Sequence, residues 1–555
     1  MFKNKSVLSY IAWGIIGLFV VLVAVQSNKP YVLDEAEFPM VGYETSKTGI
    51  PVYYHGEQET QHLGIYHPTL YINVLALFLK VFGYSEISVR AFGAICVLLS
   101  AFLLIQVYRR LYKADRRLEL LFLGLFLLNP FTIANATLPD IDSTILPIVI
   151  LLFVLGSIRY VLKTKVWSNR VVLILACLFT LALWTKLTTP LILPPLLACI
   201  AYISSKRVKD SLILTTKVTL AGALLFVTTY FIYCLVLGLS TTYTYTFLVA
   251  SFTKGTSTEG PLVGVMHNLD NLRYFVYWIT IPLLTIIGIA STRFLLDKSS
   301  SSEDKVAKVL IMMSLLTTIF YIALMSPFGG FFKYPFAVFG LLLLSIIFFI
   351  HKYLDISKLN YMYAFIALSL GFVIEKIFWE DSMFLSLKPF EFLPVVLAII
   401  VVFYFLLTKL VSRKTLLSTF MLFLIFFAIG FQFSISRIQA LSSYPTKYLY
   451  GQSGLQDTAE YLRSNTTSDE IIWGMKDIGY YVNNKYHESY AFYFNESGKD
   501  DLLKIIKERK IRYYVATTGI GQDNIDYYTH IRNVLDTYTV KDKQFGNFVV
   551  YKLKD

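Results

Sequence analysis

The chain has 555 residues, of which 56% are hydrophobic and 16% are charged. Soluble proteins contain about 45–50% apolar residues, so this composition excludes an ordinary soluble protein and indicates a polytopic α-helical membrane protein. The net charge of +13 does not indicate a nucleic-acid partner, because an excess of Lys and Arg is typical of cytoplasmic loops and no basic stripe with interleaved aromatic residues occurs.

The apolar segments predict about thirteen transmembrane helices, since a spanning helix needs about 20 mostly apolar residues. The predicted spans lie near residues 8–26, 87–107, 119–137, 143–163, 171–187, 189–205, 212–238, 274–294, 308–326, 334–350, 360–378, 389–409 and 416–435.

One further apolar segment, residues 69–82, is shorter than a spanning helix. We interpret it as an interfacial or re-entrant helix of a first external loop, residues 27–86. With that choice the most basic loops fall on the cytoplasmic side, as the positive-inside rule requires. These loops are 109–117, 163–170, 205–209, 293–308, 351–358 and 409–414.

The composition changes near residue 437, which divides the chain into a transmembrane domain, 1–436, and a C-terminal domain, 437–555. Helix-like and strand-like segments alternate in the second part, which predicts a small α/β domain. The predicted helices are 454–464, 499–509 and 527–538, and the predicted strands are 470–474, 511–516 and 547–553. The odd number of spans predicts that this domain is extracytoplasmic.

Two acidic clusters emerge on the same external face in this topology: Asp34 and Glu35 in the first loop, and Asp140 and Asp142 after the span 119–137. Such carboxylates can supply a general base, a divalent-metal site, or both. They can equally be helix caps and solvated loop charges, because Asp is common at the start of a helix. For Asp142 the residues alone leave capping and chemistry equally open.

Four short motifs resemble the membrane glycosyltransferases of the C-type (GT-C) fold, in particular the protein O-mannosyltransferase and aminoarabinose-transferase-like families. The motifs are Asp34-Glu35-Ala36-Glu37-Phe38, His67-Pro68-Thr69-Leu70-Tyr71, the acidic segment 138–142 and Thr185-Lys186. The remainder of the chain is similar in layout, with about thirteen spans followed by an external α/β domain. Many family members have a second proline where this chain has Thr69.

The resemblance implies a donor of the polyprenyl-phosphate-sugar type, used at the outer face of the cytoplasmic membrane by an inverting enzyme. It implies that Asp34 is the catalytic base. We further predict that Glu35 and an acid from 138–142, Asp140 or Asp142, hold Asp34 in place or share a metal with it. A divalent ion bound by Asp34, Asp142 and His267 is the one cofactor considered.

Glycosyl transfer also needs cations that neutralise the departing phosphate. The candidates are His67, Lys186 and Lys333 together with the adjacent Tyr334. Each lysine has an alternative explanation without a role in donor binding: its long side chain can extend to the membrane interface only so that water solvates the ammonium.

Two other classes of function stay open at this point. A transporter or flippase for a lipid-linked glycan would carry ionisable residues near the middle of its spans, and the acids here cluster at helix ends instead. A non-catalytic relative acting as an assembly partner is the third possibility. The acceptor can be a glycan, a lipid or a protein, and besides membrane lipids no other partner is predicted.

Overall fold

A computed structural model describes most of the apolar segments and part of the C-terminal region. The described residues are 5–27, 34–51, 67–162, 167–239, 278–298, 301–324, 333–354, 361–378, 413–441, 454–467, 471–474, 478, 481–482, 486–488, 511–517 and 539–554. The predicted span 389–409 and the predicted helices 499–509 and 527–538 lie outside these residues.

The described chain is mostly helical. In chain order the helices are α1 Lys5–Gln26, α2 Asp34–Thr48, α3 Leu70–Phe82, α4 Glu86–Leu111, α5 Arg116–Leu127, α6 Pro130–Thr137, α7 Ile145–Ser157, α8 Asn169–Thr185, α9 Leu193–Ser205, α10 Val208–Leu237, α11 Ile281–Leu296, α12 Ser302–Leu324, α13 Phe336–Tyr353, α14 Tyr361–Phe378, α15 Arg413–Leu441 and α16 Leu455–Asn465. Within the described residues, seven helices are long and apolar enough to cross a membrane, or eight if α5 and α6 together form one bent span.

The chain divides into two compact units. The first contains Met1–Ser27, Arg90–Ile232 and Thr246–Leu441, and the second contains Asn28–Val89, Tyr233–Tyr245 and Ser442–Asp555. The domain boundary at 436/437 stays a prediction.

Helix α13 lies at the centre of the first unit. Every residue from Phe336 to Ile350 is buried, and the helix packs against α5, α7, α11 and α12. Its sequence is apolar on all sides, which is typical of a helix with no solvent-facing surface. At the edge of the unit, by contrast, α10 exposes many large apolar side chains, as expected for a surface in contact with lipid.

The predicted single span 119–137 is wrong in one respect, because it consists of two helices bent by 63°. Asn129 lies between them, and its side-chain oxygen accepts a hydrogen bond from the Phe131 backbone amide at 2.9 Å. Pro130 follows as the first residue of α6, where its missing N–H costs nothing. The turn that carries Asp140 follows directly after α6.

In the second unit, α2 packs against α3, with the rings of Phe38 and Tyr71 edge to face at 5.4 Å. The predicted segment 69–82 is indeed a short helix, α3, of 13 residues.

The second unit also contains a five-stranded mixed sheet in the order β2-β1-β3-β5-β4. Its strands are β1 Ile471–Gly474, β2 Tyr486–Glu488, β3 Ile511–Thr517, β4 Thr539–Phe545 and β5 Phe548–Leu553. Strand β1 pairs in parallel with β2 and β3, whereas β5 runs antiparallel to β3 and β4. Helix α16 packs on this sheet and shares a hydrophobic core with it, including Leu455, Leu462, Ile472, Val515 and Val550.

Candidate functional site

The acidic segment forms a tight turn between α6 and α7. Asp140 is 3% exposed and Asp142 is 2% exposed, so neither is a solvated loop charge. The backbone carbonyl of Asp140 accepts the amides of Ser143 at 3.2 Å and Thr144 at 3.1 Å. In return the Asp140 amide donates to the Ser143 hydroxyl at 2.9 Å. These hydrogen bonds make Asp140 the centre of the turn.

The two carboxylates differ in their local role. An Asp140 side-chain oxygen accepts the Asp142 amide at 3.3 Å, a local pattern by which Asp stabilises turns. Asp142 does not cap α7, because Thr144 occupies the N-cap position and makes no side-chain capping bond. The capping interpretation of Asp142 therefore finds no support.

Both candidate lysines pair with these acids. The Lys186 ammonium nitrogen lies 2.8 Å from one carboxylate oxygen of Asp142 and 2.6 Å from the other. The Lys333 ammonium donates to Asp140. All four side chains are at most 5% exposed. We call Asp140, Asp142, Lys186 and Lys333 the acid–lysine cluster.

The helices explain how these lysines come to be buried. Lys186 is the residue that follows α8, and its amide still bonds to Ala182. Lys333 stands directly before the turn that opens α13. Both cations are therefore held at helix ends.

Two tyrosine rings complete the surroundings of Lys186. Its ammonium lies 4.7 Å from the Tyr334 ring centre and 5.8 Å from that of Tyr321, within the range of cation–π attraction. The two rings stack on each other at 5.6 Å. The Tyr321 hydroxyl shares a hydrogen bond with the Thr189 hydroxyl.

The Asp142 carboxylate compensates the buried charge of Lys186, because both of its oxygens lie within hydrogen-bond distance of the ammonium, at 2.8 and 2.6 Å. Removing either partner of such a pair would leave a buried charge without compensation.

The structure thus brings four of the predicted site residues together in one cluster. It pairs each lysine with an aspartate, although the sequence suggested separate roles for the two residue types. Asp140 and Asp142 were expected to serve a base or a metal, and Lys186 and Lys333 to face a phosphate. In the structure, each ammonium is held by a carboxylate.

The remaining predicted residues are placed as follows. Asp34 and Glu35 are the first two residues of α2, in the second unit. His67 is half-buried three residues before α3, and Tyr334 is half-buried beside Lys333. His267 lies outside the described residues.

A metal site is not assembled by the described part of the chain, in which no three His, Cys, Asp or Glu side chains cluster. Asp142 is already engaged by Lys186. A divalent ion held by Asp34, Asp142 and His267 therefore stays a prediction.

Sequence reasoning missed two residues that contact the acid–lysine cluster or the end of α6 directly before its turn. Tyr321 lies near the end of α12, among apolar residues, where no motif distinguishes it. Arg90 lies near the start of α4 and donates from Nη1 to the Thr137 carbonyl at 3.1 Å. Its burial could not be foreseen, because an Arg near a helix end is usually solvated at the membrane interface.

Comparison with known proteins gives one family and a small group of structures. Residues 66–256 match the model of the dolichyl-phosphate-mannose-protein mannosyltransferase family. This range contains His67, Asp140, Asp142 and Lys186. No curated protein matches the sequence significantly.

Solved structures match nearly the whole length of the chain. ArnT from Cupriavidus metallidurans bound to undecaprenyl phosphate aligns with a TM-score of 0.58 and 11% identity over 97% of each chain. The apo form aligns with a TM-score of 0.55 and 15% identity, over 97% of this chain and 98% of that one. The Archaeoglobus fulgidus oligosaccharyltransferase tethered with an acceptor peptide gives a TM-score of 0.48 and 10% identity, over 98% and 74%.

This chain has the C-type glycosyltransferase fold. The resemblance that the motifs indicated is confirmed. With its long apolar helices, the GT-C chain is a multi-pass membrane protein.

Proposed function

We propose that this chain is an inverting glycosyltransferase that takes one sugar from a polyprenyl-phosphate donor and transfers it to an acceptor at the outer face of the cytoplasmic membrane. The sugar is a hexose or a pentose, and the acceptor is a glycan, a lipid or a protein of the cell envelope. The finer topology belongs to the same proposal, with about thirteen spans and the α/β domain, 437–555, on the extracytoplasmic side.

The observation that carries this proposal is the family match of residues 66–256. The name of that family specifies a sugar attached to a polyprenyl-type phosphate. The fold match to ArnT, a protein solved with undecaprenyl phosphate bound, supports the same donor class.

In the proposed reaction the acceptor hydroxyl oxygen attacks the anomeric carbon of the sugar. The bond from that carbon to the phosphate oxygen breaks, and its electron pair leaves with the polyprenyl phosphate. Asp34 takes the hydroxyl proton as general base. His67, Lys186 and Lys333 stabilise the charge that develops on the phosphate.

The ion pairs of the cluster are compatible with this mechanism. An ammonium carries three N–H donors, so Lys186 or Lys333 can donate to the donor phosphate and keep a hydrogen bond to its carboxylate. Keeping both contacts avoids leaving Asp142 or Asp140 as a buried charge without a partner.

Two substitutions of Tyr321 test the surroundings of Lys186. Tyr321→Leu removes the ring that faces the ammonium and supports Tyr334, so we expect about tenfold weaker donor binding. Tyr321→Phe keeps the ring and loses only the hydroxyl, which bonds to Thr189, so donor affinity should stay within about threefold of wild type. Equal loss in both variants, measured by direct binding of a short-chain donor, would contradict a role for the ring.

Proteoliposomes separate this proposal from a lipid-linked glycan transporter. The purified protein is reconstituted with short-chain polyprenyl-phosphate sugars labelled in the sugar, and with acceptors from a cell-envelope extract. A transferase cleaves the donor and moves label into the acceptor fraction. A flippase leaves the donor intact and changes only the leaflet in which it is found, and that outcome would refute the proposal.

A further inference from the structure

Arg90 is one of the most deeply buried large side chains in the described part of the chain. It is 1% exposed, although it lies on α4, which is long and apolar enough to cross a membrane. An ionisable residue in such a helix is costly to bury and usually serves the function of the protein.

The position of Arg90 explains why it is buried. Its Nη1 donates to the carbonyl of Thr137, the last residue of α6. The last carbonyls of a helix have no donor within the helix and carry partial negative charge. A guanidinium at this point both satisfies a carbonyl and meets the negative end of the helix.

Gly93 lies one turn further along α4 and brings the two backbones together. A Cβ atom at this position would lie 2.3 Å from the Ala136 carbonyl oxygen and 3.1 Å from the Pro139 Cβ. The first distance is too short for any side chain, so only glycine fits here. Residues three apart share a helix face, and Arg90 and Gly93 therefore form one contact with the chain directly before Asp140.

A contact that holds residues 137–139 in place also determines the positions of the Asp140 and Asp142 carboxylates. The turn is closed by hydrogen bonds to Asp140 from Ser143 and Thr144, and the Asp142 amide bonds to the Asp140 side chain. A displacement of the end of α6 would consequently shift Asp140 and Asp142 together, and with them the lysines that they hold.

We propose that Arg90 and Gly93 are positioning residues of the transfer reaction. They hold the end of α6 against α4 and so set the place of the acid–lysine cluster relative to the donor phosphate. The role in transfer rests on the proposed function, whereas the mechanical part of the inference can be measured independently.

The test compares Arg90→Gln, Arg90→Lys and Gly93→Ala in the full-length purified protein. The matched control is Ser100→Ala, because Ser100 is on the same helix, is 1% exposed and has a hydroxyl without a hydrogen-bond partner in the described structure. The first readout is hydrogen exchange of peptides covering residues 138–144. We expect about tenfold faster exchange in Arg90→Gln and Gly93→Ala, and unchanged exchange in Ser100→Ala.

The second readout is transfer. Arg90→Gln should lower kcat about 30-fold while the protein stays folded and monodisperse, and Arg90→Lys should recover at least about a third of the wild-type kcat, since it restores a charged donor. Adding methylguanidinium to Arg90→Ala should raise its kcat, which a general loss of folded protein would not allow.

The outcomes are separable. Unchanged exchange in residues 138–144 of both Arg90→Gln and Gly93→Ala would overturn the inference whatever the activity. Faster exchange with wild-type kcat in those variants would overturn the role in transfer. A wild-type protein that cleaves no donor would overturn the proposed function alone, because the exchange measurement would still report whether Arg90 holds the turn.

Discussion

Asp142→Asn alone is expected to destabilise the protein by about 3–5 kcal/mol, because it leaves the buried Lys186 ammonium without its carboxylate. The two side chains are 3% and 5% exposed and only 2.6 Å apart, so water cannot replace the lost partner. The double variant Asp142→Asn, Lys186→Met should regain most of this stability, since a buried pair replaced by neutral groups is often close to neutral in cost. Thermal unfolding in detergent measures both.

Transfer activity should not follow stability in this series. If Lys186 binds the donor phosphate, the double variant lacks the ammonium and should stay at least about 100-fold below wild type in kcat/KM. Recovery of activity in parallel with stability would mean that the pair is purely structural.

The control for this series is the exposed pair of Arg207 and Asp210. Its atoms are 4.0 Å apart and its side chains 79% and 39% exposed. Arg207→Gln should change stability by less than about 1 kcal/mol and leave activity unchanged.

Asp34→Asn should reduce kcat by about 10²- to 10⁴-fold, the usual contribution of a general base, and should leave donor binding intact. The carboxylate is lost, while the size of the side chain and the backbone of α2 are conserved. Single-turnover transfer and direct donor binding separate the two effects.

Glu37→Gln is the matched variant for this prediction, because Glu37 lies in the same first turn of α2. An acid in a first helical turn stabilises the helix by about 0.3–1 kcal/mol. If Asp34 serves only in that way, both variants will lose a little stability and keep their kcat. A selective loss in Asp34→Asn is the expected result.

The sequence could not predict which lysine pairs with which aspartate in the acid–lysine cluster. The topology placed Asp140 and Asp142 at one membrane face, and the motifs singled out Lys186 and Lys333. Which ammonium meets which carboxylate could not be deduced, since Asp140 and Lys333 are 193 residues apart and their contact depends on the packing of α13.

A long run of apolar residues was enough to predict most of the helices. The bend between α5 and α6 was not predicted, although Asn129 and Pro130 are typical of a helix boundary.

The strand β4 was also missed. Its residues 540–544 are all exposed, and Lys541, Asp542 and Lys543 interrupt any alternation of apolar residues. Charged residues on a strand at the edge of a sheet are common because they prevent further pairing.

The supporting residues around the cluster left no recognisable sequence signal. Gly93 resembles any glycine in an apolar helix, and Tyr321 resembles an aromatic residue at the membrane interface. Their importance comes from close approach in three dimensions, which a single sequence does not encode in a local pattern.

The most direct test of the central claim is the stoichiometry of donor cleavage. Purified wild-type protein is incubated with a panel of short-chain polyprenyl-phosphate hexoses and pentoses and with an acceptor extract, and both released polyprenyl phosphate and transferred sugar are measured. We predict one polyprenyl phosphate released per sugar transferred for at least one donor, and formation of both products at least about 100-fold slower in Asp34→Asn. Equal release by wild type and Asp34→Asn, or release by neither in the presence of acceptor, would contradict the proposed reaction.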